Sequence, residues 1–165
     1  MLAKFRWNSV GLTADIVKAF LNVGSKKEDR DMLRFLWFKE PTAENPEMVQ
    51  YRFSRLVFGL RISPSILCST IKHHLKFYRQ GEPETAEMLE NSLYVDNLIT
   101  GDDDEKVAFA IYKKSKAIMT EGEFCLRKWN SNSASLIEEI AKLEVPNNEI
   151  PASQHVRFSR YYKRR

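Results

Sequence analysis

The ten residues from Ser92 to Gly101, SLYVDNLITG, set the run Leu93-Tyr94-Val95 and the run Leu98-Ile99-Thr100 on either side of a polar pair, Asp96-Asn97. Asp and Asn tolerate left-handed backbone and bond their own main chain, so this spacing predicts an antiparallel hairpin that turns at Asp96-Asn97. Helix-forming segments lie on both sides of it, which commits the chain to helices combined with antiparallel strand pairs. The hairpin also thrusts the Asp96 carboxylate outward from the tip of a rigid support.

The rest of the chain fits that frame. VGLTADIVKAF, from Val10 to Phe20, predicts a short strand through Leu12–Ile16 and then a helical turn. Residues 26–34 are charged and helical in tendency. LRFLWF (Leu33–Phe38) and QYRFSRLV (Gln50–Val57) predict two paired strands, closed by a loop with two prolines at Lys39–Met48. Ser63 as N-cap and Pro64 at the first helical position predict a helix to about Tyr78, with Ile66, Leu67, Ile71 and Leu75 on its apolar face. Gly81-Glu82-Pro83 ends it, and a shorter helix, Glu84–Asn91, leads into the hairpin. The acids Asp102–Glu105 suit the N-terminus of a helix over Val107–Ile118, and Gly122 suits its C-cap. Phe124–Trp129 (FCLRKW) predicts a further strand, with Asn130-Ser131-Asn132 as a turn and a helix at Ser135–Leu143. The expected class is α+β.

Composition excludes some alternatives. Hydrophobic residues make up 43% and charged residues 29% of 165, which describes a globular chain with a core and not a disordered one. The formal net charge of +4 suits a polyanionic partner without requiring one. Cys68 and Cys125 lie far apart with no metal-ligand spacing and read as reduced thiols. His73, His74 and His155 lack ligand spacing as well. No apolar run reaches membrane length and the first residues lack a signal-peptide core, so the expectation is an intracellular protein with no membrane partner.

Two carboxylates stand out by setting. Asp15 closes a short strand just before a helical turn, and Asp96 sits at a hairpin tip. If those strands neighbour each other, both acids reach one spot. Hard oxygen ligands on strand ends can hold Mg²⁺ while leaving room for water and phosphate. Two such ions, about 3.5–4 Å apart, would activate a hydroxyl nucleophile and stabilise a leaving pyrophosphate. The simpler alternative makes Asp15 a helix cap and Asp96 a turn residue. The acidic run Asp102-Asp103-Asp104-Glu105 needs no metal, because acids at a helix N-terminus explain it.

The words TADIVKAF, YRFSRLVFGLRISPSIL, SLYVDNLITGD and EFCLRKWNSN occur in this order. Together they resemble the palm motifs of a reverse transcriptase, and within that family they are most similar to the polymerases of BEL/Pao-type LTR retrotransposons. The resemblance runs from Phe5 to Asn132. It implies a reverse-transcriptase-like palm, a small antiparallel sheet packed on helices with part of the fingers, over residues 1–132. Residues 133–165 are then a helical segment and a basic, poorly ordered tail. The family's N-terminal fingers are absent from this reading, so the resemblance implies a palm-centred fragment of a longer polyprotein or a decayed element copy.

The resemblance also implies roles. Asp15 and Asp96 match metal-binding aspartates, and the Ile16 carbonyl shares that task. Two Mg²⁺ ions, or Mn²⁺ in their place, are the expected cofactors. Phe20 matches an aromatic gate that leaves no room for a 2′-hydroxyl, with a plain core aromatic as the alternative. Phe58 and Gly59, in FGLRISP, match the loop that meets the nucleotide or templating base, although Val57 stands where proline is common. Tyr94 matches the aromatic near the primer end. FCLRKW resembles the primer grip, a hairpin in which Arg127 and Lys128 meet phosphate while Trp129 packs, with an edge hairpin carrying exposed cations as the alternative.

Asn97 departs from the family pattern, which has a second aspartate there. The missing charge would cost about 2–4 kcal/mol of transition-state stabilisation, roughly 30- to 1,000-fold in rate. The implied function is RNA-directed DNA polymerisation: nucleotidyl transfer to a primer 3′-hydroxyl, with an RNA or DNA template, a primer and deoxynucleoside triphosphates as partners. Cytoplasm or a virus-like particle is the implied location. A catalytically inactive remnant that keeps the fold and at most binds nucleic acid is the alternative, and an unrelated interaction domain is a third reading.

Overall fold

The structure, a computed structural model, describes residues 8–144 and the backbone of Tyr162–Arg164. The chain divides into two compact units, one within Met1–Ala19 and Pro64–Asn147, the other within Phe20–Ser63 and Asn148–Arg165.

The first unit is built on a four-stranded antiparallel sheet. Its strands are β1 (Val10–Ile16), β4 (Leu93–Tyr94), β5 (Asn97–Asp102) and β6 (Leu126–Ser131), in the order β4-β5-β1-β6. Between β1 and β4 come α2 (Ser63–Leu75) and α3 (Pro83–Ser92); α4 (Glu105–Glu121) links β5 to β6, and α5 (Ala134–Leu143) follows. Strands β1 and β4 therefore run parallel, as do β5 and β6, and two β-helix-β crossovers interleave in one sheet.

Period-two alternation makes the sheet one-sided. Leu12, Ala14, Ile16, Leu98, Thr100 and Leu126 point to the helices and are buried. Each fully buried leucine contributes about 2 kcal/mol relative to exposure. Leu12, Ala108, Tyr112, Leu136 and Ile140 form one cluster, with Val10, Phe109, Ile111 and Trp129 packed on it. Leu67, Ile71 and Leu75 are buried along α2. Ile66, expected on that face, is instead partly exposed, because it lies one residue, about 100° of helix rotation, from Leu67. Ser63 also departs from expectation. Its hydroxyl donates to the Val57 carbonyl at 2.7 Å rather than accepting from the first turn.

The helix ends follow the expected chemistry more closely. Asp104 caps α4 by accepting from the Lys106 amide at 2.7 Å. At the other end the Phe124 amide donates to Met119 O and the Glu123 amide to Thr120 O, a Schellman arrangement with Glu123 in the left-handed position. Gly122 is needed for a different reason: a Cβ there would meet the His74 ring at 2.8 Å. That ring hydrogen-bonds the Ile118 carbonyl at 2.7 Å through Nε2.

Two strand expectations are corrected. The hairpin turns at Val95-Asp96 and not at Asp96-Asn97, since Tyr94 pairs with Asn97 and Leu93 with Leu98. Burial of Leu98 decides this register, because it places the two leucines opposite each other on one face. FCLRKW, in turn, forms no hairpin: β6 is an edge strand paired with β1, and a helix follows it. The turn residues act as a clasp. Asn132 accepts from the Gly11 amide and donates to Ser9 O, Ser131 donates to Gly11 O, and Ser133 caps α5.

The second unit carries α1 (Ala19–Asn22), which begins at the unit boundary, and the antiparallel hairpin of β2 (Arg34–Phe38) and β3 (Met48–Phe53), with β7 (Tyr162–Arg164) beside β3. The hairpin pairs Arg34 with Arg52 and Phe38 with Met48 around the proline loop, as the alternation predicts. Apart from Tyr162–Arg164, the expected basic tail lies outside the described residues. The architecture is α+β with small antiparallel sheets. Among the described residues, no helix is long and apolar enough to cross a membrane.

Candidate metal centre

Asp15 lies on the face of the sheet opposite the buried one, because Ala14 and Ile16, on either side of it, are buried. Its partner across the ladder is Asn97 on β5, and on its other side Arg127 of β6. The Ile16 amide donates to Asp96 O at 2.7 Å. Ile16 and Asp96 are thus a hydrogen-bonded pair, and Asp15 and Asn97 belong to the closer class of facing pair, with Cα atoms about 4.5 Å apart. Asp96 sits at the turn itself, and its Oδ1 accepts from the Asn97 side-chain amide at 3.0 Å. Asn97 thus contacts Asp96 through its side chain and faces Asp15 across the ladder.

Two backbone outliers flank them. Val95, the first turn residue, has φ +57°. Positive φ at the first central residue alone is the type II′ pattern, which favours glycine, and a β-branched residue there is strained. Lys128 has φ +55°. It lies in a β-bulge, where Lys128 and Trp129 together face Ala14, because Thr13 pairs with Asn130 while Asp15 pairs with Arg127. Such conformations cost about 1–3 kcal/mol each and persist where the surroundings impose them, often at functional sites.

The bulge changes which side chains face which way. Trp129 turns to the helices and meets Tyr112 edge-on, with ring centroids 4.8 Å apart. The indole, expected to pack while Arg127 and Lys128 meet phosphate, lies against the core, and its Nε1 is buried without a hydrogen-bond partner among the described residues. Lys128 turns to the open face, where its ammonium stands 3.2 Å from Asp15 Oδ2. Arg127 lies beside Asp15 in register, with its Nε against Cys125 Sγ at 3.5 Å. Tyr94, opposite Asn97, is exposed on the same face.

Phe20, Phe58 and Gly59 belong to the second unit. Phe20 is 4% exposed and packs edge-on against Phe58, whose own ring is 67% exposed, with centroids 4.5 Å apart. Gly59 has φ +89° and open space where a Cβ would go, so its backbone conformation and not crowding calls for glycine.

The donor set suits a hard divalent cation. Asp15 and Asp96 each offer a carboxylate, and among the described residues one oxygen of each carries no internal hydrogen bond or ion pair. The Ile16 carbonyl lies next along the chain. Among the described residues no group of three or more His, Cys, Asp or Glu comes together, so a cation here would rely on water or phosphate for its remaining ligands. The acidic run 102–105 is engaged elsewhere. Asp102 accepts from the Asp104 amide, Asp103 from the Ser9 amide and hydroxyl, and Glu105 from Ser133 and Ser135.

The sequence reading missed the Lys128–Asp15 contact, although a signal for the bulge was present. Phe124 and Leu126 keep strand parity, but the next large apolar residue, Trp129, comes at an odd step. No protein-family model matches the chain, and no curated protein matches it.

Proposed function

We propose that this chain is a reverse-transcriptase palm of retrotransposon type, whose activity is RNA-directed DNA synthesis. The observation that carries the reading is the register of β1 against β5, which sets Asp15 opposite Asn97 and beside Asp96. Two acids widely separated in the sequence stand at the same end of two paired strands. A four-stranded antiparallel sheet with one helix-covered face supports the palm assignment.

In the proposed reaction the primer 3′-oxygen bonds to the α-phosphorus of a deoxynucleoside triphosphate. The bond to the β-phosphate oxygen breaks, pyrophosphate leaves, and the hydroxyl proton passes to water. Divalent cations, two Mg²⁺ in the full reading, would lower the pKa of that hydroxyl and neutralise charge on the phosphates. Asp15 and Asp96 would hold them, with the Ile16 carbonyl adjacent. The Asn97 amide orients Asp96 through its hydrogen bond. Tyr94 offers an exposed ring for the primer end, while Arg127 and Lys128 offer positive charge to its phosphates. Phe20, Phe58 and Gly59 are assigned to the nucleotide.

One observation favours the inactive alternative. Asn97, directly opposite Asp15 and hydrogen-bonded to Asp96, brings an amide donor and no charge. Primer extension on poly-A with oligo-dT, Mg²⁺ and dTTP separates the readings. Extension that is weak in the native chain and rises roughly 30- to 1,000-fold in Asn97→Asp supports the polymerase with a weakened centre. No extension by either form overturns the activity and leaves the remnant.

A further inference from the structure

We propose that Lys128 is a built-in cation at Asp15, one that a divalent ion must displace before the centre can work. This rests on the metal-centre reading above and deepens it.

Strand parity supplies the first reason. On β6 the side chains of Leu126 and Trp129 both reach the helix side, and only the bulge makes that possible. A regular strand would turn Lys128 inward after Arg127. The extra residue re-aims it to the open face, at the cost of left-handed backbone in a residue that has a Cβ. A glycine would meet that backbone need at lower cost. The sequence has lysine, and its ammonium lies on Asp15, at 3.2 Å from Oδ2.

Charge balance supplies the second. Asp15 and Asp96 stand on neighbouring strand ends and bring two negative charges to that end of the sheet, and among the described residues no group of three or more His, Cys, Asp or Glu forms there. Asn97 satisfies one oxygen of Asp96 and Lys128 one oxygen of Asp15, so each acid has a single internal donor. Lys128 neutralises the acid that Asn97 does not reach. A divalent ion at Asp15 would meet the ammonium at close range, and repulsion would drive that long side chain out to solvent, where most of it already lies (79% exposed, against 42% for Asp15). Because the pair is exposed, the antagonism is modest, a matter of several-fold in affinity.

Mn²⁺ titration of the full chain, followed by the loss of the free-ion paramagnetic resonance signal, tests this without any turnover. Lys128→Met keeps the stem and removes the charge, and it should bind Mn²⁺ roughly fivefold more tightly than the native chain. Lys128→Arg should restore native affinity, and Asp15→Asn should abolish the gain in the Lys128→Met background. Unchanged or weaker binding in Lys128→Met overturns the proposal alone and returns the bulge to a purely structural task, seating Trp129. Absence of Asp15-dependent Mn²⁺ binding in every form overturns both this proposal and the metal-centre reading. Lys128→Gly guards against a folding artefact: it relieves the left-handed backbone, should be at least as stable as the native chain, and should show the same tightening.

Discussion

Strand β5 has an acidic group at each end, and the two ends are built for different ends. At its start stand Asp96 and Asn97, the latter facing Asp15; from its last residue onward stand Asp102, Asp103 and Asp104. The second group holds more charge yet is the less available. Its carboxylates accept from the amides of Asp104, Ser9 and Lys106, so each closes a turn, ties down the chain before β1 or caps α4. At the first end each acid has one side-chain partner and no backbone donor among the described residues. Availability to an outside cation follows from which oxygens the main chain already uses, and not from how many acids cluster.

The largest effect expected at the open end is from Asp15→Asn. Loss of a direct carboxylate ligand should weaken Mn²⁺ binding on the order of 100-fold, as followed by calorimetry, with little change in melting temperature. If instead the protein unfolds while metal binding persists, the contrast between the two ends fails. Next comes Gly101→Ala, near the closed end, where a Cβ would lie 2.3 Å from the Val10 carbonyl oxygen. The β1–β5 ladder must shift, and stability should fall by about 2–3 kcal/mol in urea unfolding. Asp104→Ala removes a helix cap and should cost about 1 kcal/mol, with Mn²⁺ affinity unchanged.

The smallest expected effect is a pH dependence. Hydrogen bonds from Ser133, then Ser135, hold the Glu105 carboxyl below its usual range, with the Leu136 amide assisting and desolvation opposing. A carboxylate lowered in the folded state adds stability above its unfolded pKa. That stability is lost as pH falls through the folded value. Glu105→Gln should therefore lose less melting temperature than the native chain between pH 7 and pH 3. An equal loss in both would show that the link between α4 and α5 does not depend on that charge.

Much of this was legible locally. The α4 N-terminus could be read from acids ahead of a helical stretch, and Asp104 caps it as that pattern requires. The β2–β3 hairpin followed from alternation on either side of a proline loop. Errors arose where the buried face is set by a neighbouring element, across strands or along a helix. The turn moved one residue because Leu98 is buried opposite Leu93. Ile66 left its expected face because Leu67 took the core position. Trp129 packs as expected, but the bulge that shifts its phase against β1 and turns Lys128 to the opposite face was not foreseen. Phe20 was equally legible as gate or as core aromatic, and the structure shows it buried against Phe58.

By itself the sequence determined the class of fold, the positions of most helices and strands, and the choice of Asp15 and Asp96, since caps, periodicity and turn residues act within a few neighbours. That Asp15 faces Asn97, that Asp96 is held by the Asn97 amide, and that Lys128 is turned onto Asp15 were decided only by tertiary structure. Register, bulge and face depend on which strand lies alongside. In a sheet, one residue of slip exchanges its two sides.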